Sequence, residues 1–186
     1  MQNEHASSQL LRRIRILIGI VIGGLLISGV TAFPLLYEVE ILHGWLGQSS
    51  CPTPIKAWLG TVHEGLHATH RAYPFLAYGT DWLAFGHIVI ALFFIGPFLD
   101  PMRNLAVIRA GQIACLLVIP TALICGEIRG IPRWWRAIDS AFGVFGFVPL
   151  WFAARLVGRL EVLNRAAPSS GRSDALGAPA SKPPEF

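Results

Sequence analysis

TPIKAWLGTVHEGLHATHRAYPFLAYGTDWLAFGHIVIALFFIGPFL, residues 53–99, changes character once, and that change decides the fold. Its first half is polar with one apolar stripe, Ile55, Trp58, Leu59, Val62 and Leu66 recurring at helical spacing. Thr53-Pro54 supplies a good helix start, a capping hydroxyl followed by Pro at the first helical position. After turn residues at Tyr73-Pro74 and Gly79, the chain enters at Asp81-Trp82 an apolar run that reaches Leu99 and holds one ionisable residue, His87.

Such a run needs oil as its solvent, and the whole chain agrees. Of 186 residues, 53% are hydrophobic and only 14% charged, which excludes an ordinary soluble domain. A backbone in hydrocarbon must bond to itself, so about 20 apolar residues coil into a helix to cross a layer of roughly 30 Å. Four stretches qualify: 16–37, 82–99, 105–126 and 137–156. The net charge of +4 does not point to nucleic acid, because the arginines flank the apolar runs instead of forming a stripe interleaved with aromatics.

The spacing predicts an all-α integral membrane protein with four transmembrane helices and an amphipathic interfacial helix, about 54–71, in the first outer loop (38–81). Arg12, Arg13 and Arg15 precede the first run, Arg103 and Arg109 flank the turn between the second and third, and Arg155, Arg159, Arg165, Arg172 and Lys182 follow the fourth. Against these ten cations the other side has five, Lys56, Arg71, Arg129, Arg133 and Arg136, so the positive-inside rule places both termini in the cytoplasm. Residues 1–15 form the cytoplasmic N-terminus, polar and frayed over 1–11, and Val30-Thr31-Ala32 leaves a cleaved signal peptide as the competing reading of the first run. Gly19-X-X-X-Gly23 and Gly24-X-X-X-Ser28 put small residues where a neighbouring helix can approach. Residues 127–136 form the second outer loop, with Gly130-Ile131-Pro132 as its turn and Trp134-Trp135 as an interfacial anchor. Residues 157–186 read as a disordered cytoplasmic tail. Cys115 and Cys125 read as small residues inside a span, with a Cys51–Cys125 bridge as the alternative.

The run Tyr73-Pro74-Phe75-Leu76-Ala77-Tyr78-Gly79-Thr80-Asp81-Trp82 is followed by Gly96-Pro97, Asp100-Pro101, Arg103-Asn104 and Ile128-Arg129-Gly130-Ile131-Pro132. Together, over Tyr73 to Leu160, these motifs resemble a family of small bacterial plasma-membrane proteins with no known activity. The resemblance implies a multi-pass protein of the bacterial plasma membrane and brings no catalytic residues with it.

Three groups of residues carry possible chemistry. His63-Glu64-X-X-His67 matches the zincin pattern, two His on one helix face and a Glu to activate a zinc-bound water. No third ligand follows at a zincin spacing, so a hydrolase through Glu64 is the weaker reading; His63, His67 and His70, at i, i+4 and i+7, make a softer metal site. His87 inside the second span is a candidate haem b ligand, with His43 as its nearest available second ligand. The third group is a polar cluster at the outer ends of the spans, Asp81, His87, Arg129, Arg136 and Asp139, expected to pair because charges alone in hydrocarbon are costly. Asp100, Arg103 and Arg109 at the inner turn read as a turn-fixing set.

No cofactor is expected; zinc and haem b are the alternatives. The partners expected are the lipid bilayer and another membrane protein or a second copy of the chain. The leading functional reading is a non-enzymatic accessory or assembly subunit, and the competing one is a ligand- or metal-handling membrane protein.

Overall fold

The computed structural model describes residues 2–166, with side chains for 5–47 and 49–165, and among these it contains helices and no strand. In order they are α1 (Gln2–Ala32), α2 (Leu35–Gln48), α3 (Thr53–Ala72), a single 3₁₀ turn (Pro74–Leu76), α4 (Ala77–Phe93), α5 (Ile95–Leu99), α6 (Leu105–Ile128) and α7 (Arg133–Ala166). Four helical stretches are long and apolar enough to cross a membrane: His5–Ala32, Pro74–Leu99, Leu105–Ile128 and Arg133–Arg165.

Charges mark the ends of three of these at nearly the same separation. Asp81 and Asp100, Arg109 and Glu127, and Arg136 and Arg155 stand 19, 18 and 19 residues apart, about 28 Å at helical rise, which is the thickness of a hydrocarbon layer.

The four spans form a row. α6 packs along α7, α7 along α1, and α1 along α4, while α4 has no substantial contact with α6 even though the Asp100–Asn104 turn joins them. The buried cluster lies at the end where that turn sits: Ile14 and Ile18 from α1, Phe94 before α5, Ile108 from α6, and Leu150, Ala153, Val157 and Leu160 from α7. Arg15 donates to the carbonyls of Phe98 (3.1 Å) and Leu99 (3.2 Å), tying α1 to the C-terminal end of α5. Asn104 donates to the carbonyls of Gly96 (3.2 Å) and Asp100 (2.9 Å), which closes the turn. Gln112 donates to the Leu150 carbonyl at 3.1 Å, a polar link between α6 and α7 one residue after Pro149.

Several expectations change. The first apolar run is not one span over 16–37: α1 ends at Ala32 and a new helix begins at Leu35, because Pro34 has no N–H to donate and its ring crowds the carbonyl four residues back. Its N-terminus is helical from Gln2 instead of frayed, since Leu10 and Leu11 pack against the buried cluster and Ile14 belongs to it. The first part of the loop 38–81 is helix α2. Leu35, Leu36, Val39 and Leu46 are its half-buried stripe, and Gly44 and Gly47 had obscured the periodicity. α7 continues through 157–166, assigned to the disordered tail, because Val157 and Leu160 are core residues; the remainder of that tail, 167–186, lies outside the described residues.

Close approach between helices also occurs elsewhere than expected. A Cβ at Gly19 would touch the Phe98 ring at 3.7 Å and, among the described residues, one at Gly23 or Gly24 would meet nothing, whereas a side chain at Gly29 would meet the Ala84 carbonyl oxygen at 2.9 Å, so Gly29 is where α1 and α4 come together. All three cysteines are free thiols.

Candidate functional site

Two polar clusters occupy the end of the bundle that carries α2 and α3. α3 has the predicted stripe, with Leu59 buried and Ile55, Trp58, Val62 and Leu66 half-buried. α2 packs against α3 as an antiparallel neighbour across the short Ser49–Pro52 connection. Trp58 reaches Trp135 at the start of α7, ring centroids 6.3 Å apart, and Trp135 in turn meets Trp134 edge-on at 5.5 Å.

That packing gathers three imidazoles. His43 of α2 stacks on His63 of α3, centroids 4.5 Å apart and planes 11° from parallel, and His63 meets His67 at 4.4 Å with planes tilted by 57°. The pair His63 and His67 is therefore the one read from the sequence, but its third member is His43, while His70 and Glu64 are exposed. A helical hairpin brings His43 in, and its signal was the stripe of α2. The Nε2 of His67 is buried and, among the described residues, has no hydrogen-bond partner.

Among the described residues no three His, Cys, Asp or Glu side chains are arranged to hold one metal ion. Geometry explains this for the imidazoles: a nitrogen lone pair lies in its ring plane, so the near-parallel planes of His43 and His63 direct theirs side by side instead of toward one centre. With Glu64 exposed as well, the residues present do not fit a zincin centre.

The second cluster centres on Arg136, a residue buried at 8% exposure. It donates to the carboxylate of Glu127 and, at 3.3 Å, to the carbonyl of Leu123. Its stem lies over Gly126, where a Cβ would meet Arg136 Cγ at 2.6 Å. Gly130, at φ +68°, takes the left-handed conformation that returns the chain from α6 to α7. Glu127 is thus the partner that sequence reasoning left out, and its signal was position: it is the acid nearest to Arg136 across that turn.

The other four residues of the expected cluster are placed separately. His87 sits beside Gly29 and its Nδ1 hydrogen-bonds with the Leu83 carbonyl of its own helix at 2.8 Å. His43 is stacked on His63, so His43 and His87 are engaged with different neighbours and make no facing pair for haem. Arg129 is exposed, Asp81 and Asp139 are half-buried, and among the described residues none of the three has an ion-pair partner. At the opposite end Asp100 accepts from the Arg103 backbone N–H at 3.2 Å and pairs with its guanidinium at 3.5 Å, while Arg109 is exposed.

No family model, no curated protein and no solved structure matches this chain, so the resemblance drawn on Tyr73 to Leu160 has no counterpart among them.

Proposed function

We propose that this chain is a non-enzymatic accessory subunit of the bacterial plasma membrane, a four-span platform that seats against another integral membrane protein. The observation that carries the reading is the free side of α6. Among the described residues this helix is the edge of the row, packed along α7 alone over its length. Its open face presents Ala106, Ala110 and Ala114, exposed small residues repeating every four positions. In lipid, helices associate through close van der Waals contact, and small residues at this spacing are what permits it. Both termini face the cytoplasm in this reading, with α3 lying at the outer membrane–water boundary, its stripe turned inward and His70 at the surface.

The test is a photocrosslinking residue placed at Leu117, exposed on α6, and separately at Phe142, exposed on α7. The accessory reading expects a discrete protein adduct from Leu117 in native membranes and lipid adducts alone from Phe142. A chain that purifies by itself as a monomer in mild detergent and gives lipid adducts at both positions would overturn it.

One observation favours a second reading, ligand binding at the α2–α3 hairpin: the unpartnered Nε2 of His67 beside His63 and His43. A small donor molecule would satisfy it. Calorimetric titration of the parent and of His67→Ala protein with a small neutral hydrogen-bond donor separates this reading from the first: saturable heat in the parent that His67→Ala abolishes supports it, and equal heats in both overturn it.

A further inference from the structure

We propose that the groove between the first turns of α1 and the last turns of α7 binds the phosphate headgroup of an anionic phospholipid. The groove has a volume of about 760 Å³ and is walled by Arg13 on α1 and by Arg155 and Arg159 on α7. Arg155 and Arg159 are one helical turn apart, and because α1 and α7 run in opposite directions Arg13 faces them across the gap. Leu10 and Val162 line it, and Gly158, with nothing among the described residues within 4 Å of a Cβ built there, keeps it open.

Three guanidinium groups around one depression repel one another, and among the described residues no carboxylate pairs with any of them. The Arg155 guanidinium lies over the Trp151 ring, 4.1 Å from its centroid. The ring occupies the flat face and leaves the edge N–H donors free, which is the fork that matches two phosphate oxygens. Arg15, by contrast, is spent on the Phe98 and Leu99 carbonyls, so the neighbouring depression it shares with Arg12 has a single uncommitted cation.

Position selects a lipid over free phosphate. Arg155 stands 19 residues from Arg136, about 28 Å, so the groove lies at the hydrocarbon boundary. From it, exposed apolar residues lead into the membrane-spanning part, Ile20 along α1 and Phe152 and Val148 along α7. Basic depressions between spans at this depth suit headgroups with two charges. With three cations present, the doubly charged cardiolipin headgroup binds more tightly than a single phosphodiester.

The experiment is native mass spectrometry of the full chain in detergent, titrated separately with cardiolipin, phosphatidylglycerol, phosphatidylcholine and inorganic phosphate. Retention is expected in the order cardiolipin, phosphatidylglycerol, phosphatidylcholine. Loss of all three arginines, R13Q/R155Q/R159Q, is expected to weaken cardiolipin about a hundredfold, or about fivefold for each charge removed. R129Q/R133Q, at the other end of α6 and α7, is expected to leave it unchanged. If circular dichroism shows that the triple variant loses helix, R159Q alone is read against the fivefold expectation. Equal retention of cardiolipin and phosphatidylcholine, or an undiminished affinity in R159Q, overturns the proposal. Binding of inorganic phosphate that displaces every lipid equally assigns the groove to free phosphate instead.

Discussion

Glu127 and Arg136 form an ion pair across the Gly130 turn in which only the cation is buried: the Arg136 side chain is 10% exposed and that of Glu127 is 68% exposed. The two halves of the pair are therefore unequal. Removing Glu127 strands a buried charge, whereas removing Arg136 takes the charge away with its desolvation cost.

Glu127→Gln is expected to destabilise the protein by about 1–2 kcal/mol, a value reduced from the fully buried case because solvent screens the exposed carboxylate. Arg136→Met, of similar length and no charge, is expected to change stability by less than about 1 kcal/mol in either direction. Unfolding in mixed detergent micelles measures both. Equal losses from the two substitutions would show that the pair does not have this asymmetry.

The glycines of α1 separate two explanations of its packing. At Gly29 a Cβ would press on the Ala84 carbonyl oxygen at 2.9 Å and on Ile88 Cγ1 at 3.0 Å, so Gly29→Ala must move backbone and is expected to cost about 1–3 kcal/mol. Gly23→Ala and Gly24→Ala meet nothing and are expected to stay within about 0.5 kcal/mol of the parent. Thermal unfolding of the three variants in one detergent is decisive, and a loss at Gly23 matching that at Gly29 would move the helix contact.

Stacking of His43 on His63 is the aromatic contact that joins α2 to α3. His43→Ala is expected to raise amide hydrogen exchange across 35–48 by up to about tenfold, the equivalent of an aromatic pair worth about 0.5–1.5 kcal/mol. His70→Ala, an exposed residue outside the stack, is expected to leave exchange unaltered. Unchanged protection in His43→Ala would assign the hairpin to its aliphatic stripe alone.

Arg15 fixes α5 through two charge-assisted hydrogen bonds to the carbonyls of Phe98 and Leu99. Arg15→Gln is expected to cost about 1.5–3 kcal/mol, since both carbonyls lose a charged donor. The check is chemical unfolding combined with proteolysis at the Asp100–Asn104 turn, which should become more susceptible.

Topology follows from accessible thiols. In a chain keeping only Cys51, an impermeant maleimide added to intact cells is expected to label it. Replacing Ser7 or Asn164 by Cys in a chain without other thiols is expected to give labelling only after lysis. Labelling of Ser7→Cys from outside would reverse the assignment of the two ends.

Four membrane-length helices were legible because a backbone in oil has one way to satisfy its own donors and acceptors, and each apolar run announces it. Thr53-Pro54 likewise marked where α3 begins, although the cap residue is Pro52 and the Thr53 hydroxyl makes no capping hydrogen bond, and Gly130 announced its turn. Which helix lies beside which was not legible, since every apolar residue suits lipid and protein alike and hydropathy cannot tell a neighbour from a tail. Only the folded arrangement set Gly29 against Ala84, exchanged His70 for His43 in the imidazole cluster, and gave Arg136 to Glu127 instead of to Asp139. Each of these depends on side chains from different helices meeting in space, and the row of α4, α1, α7 and α6 decides those meetings.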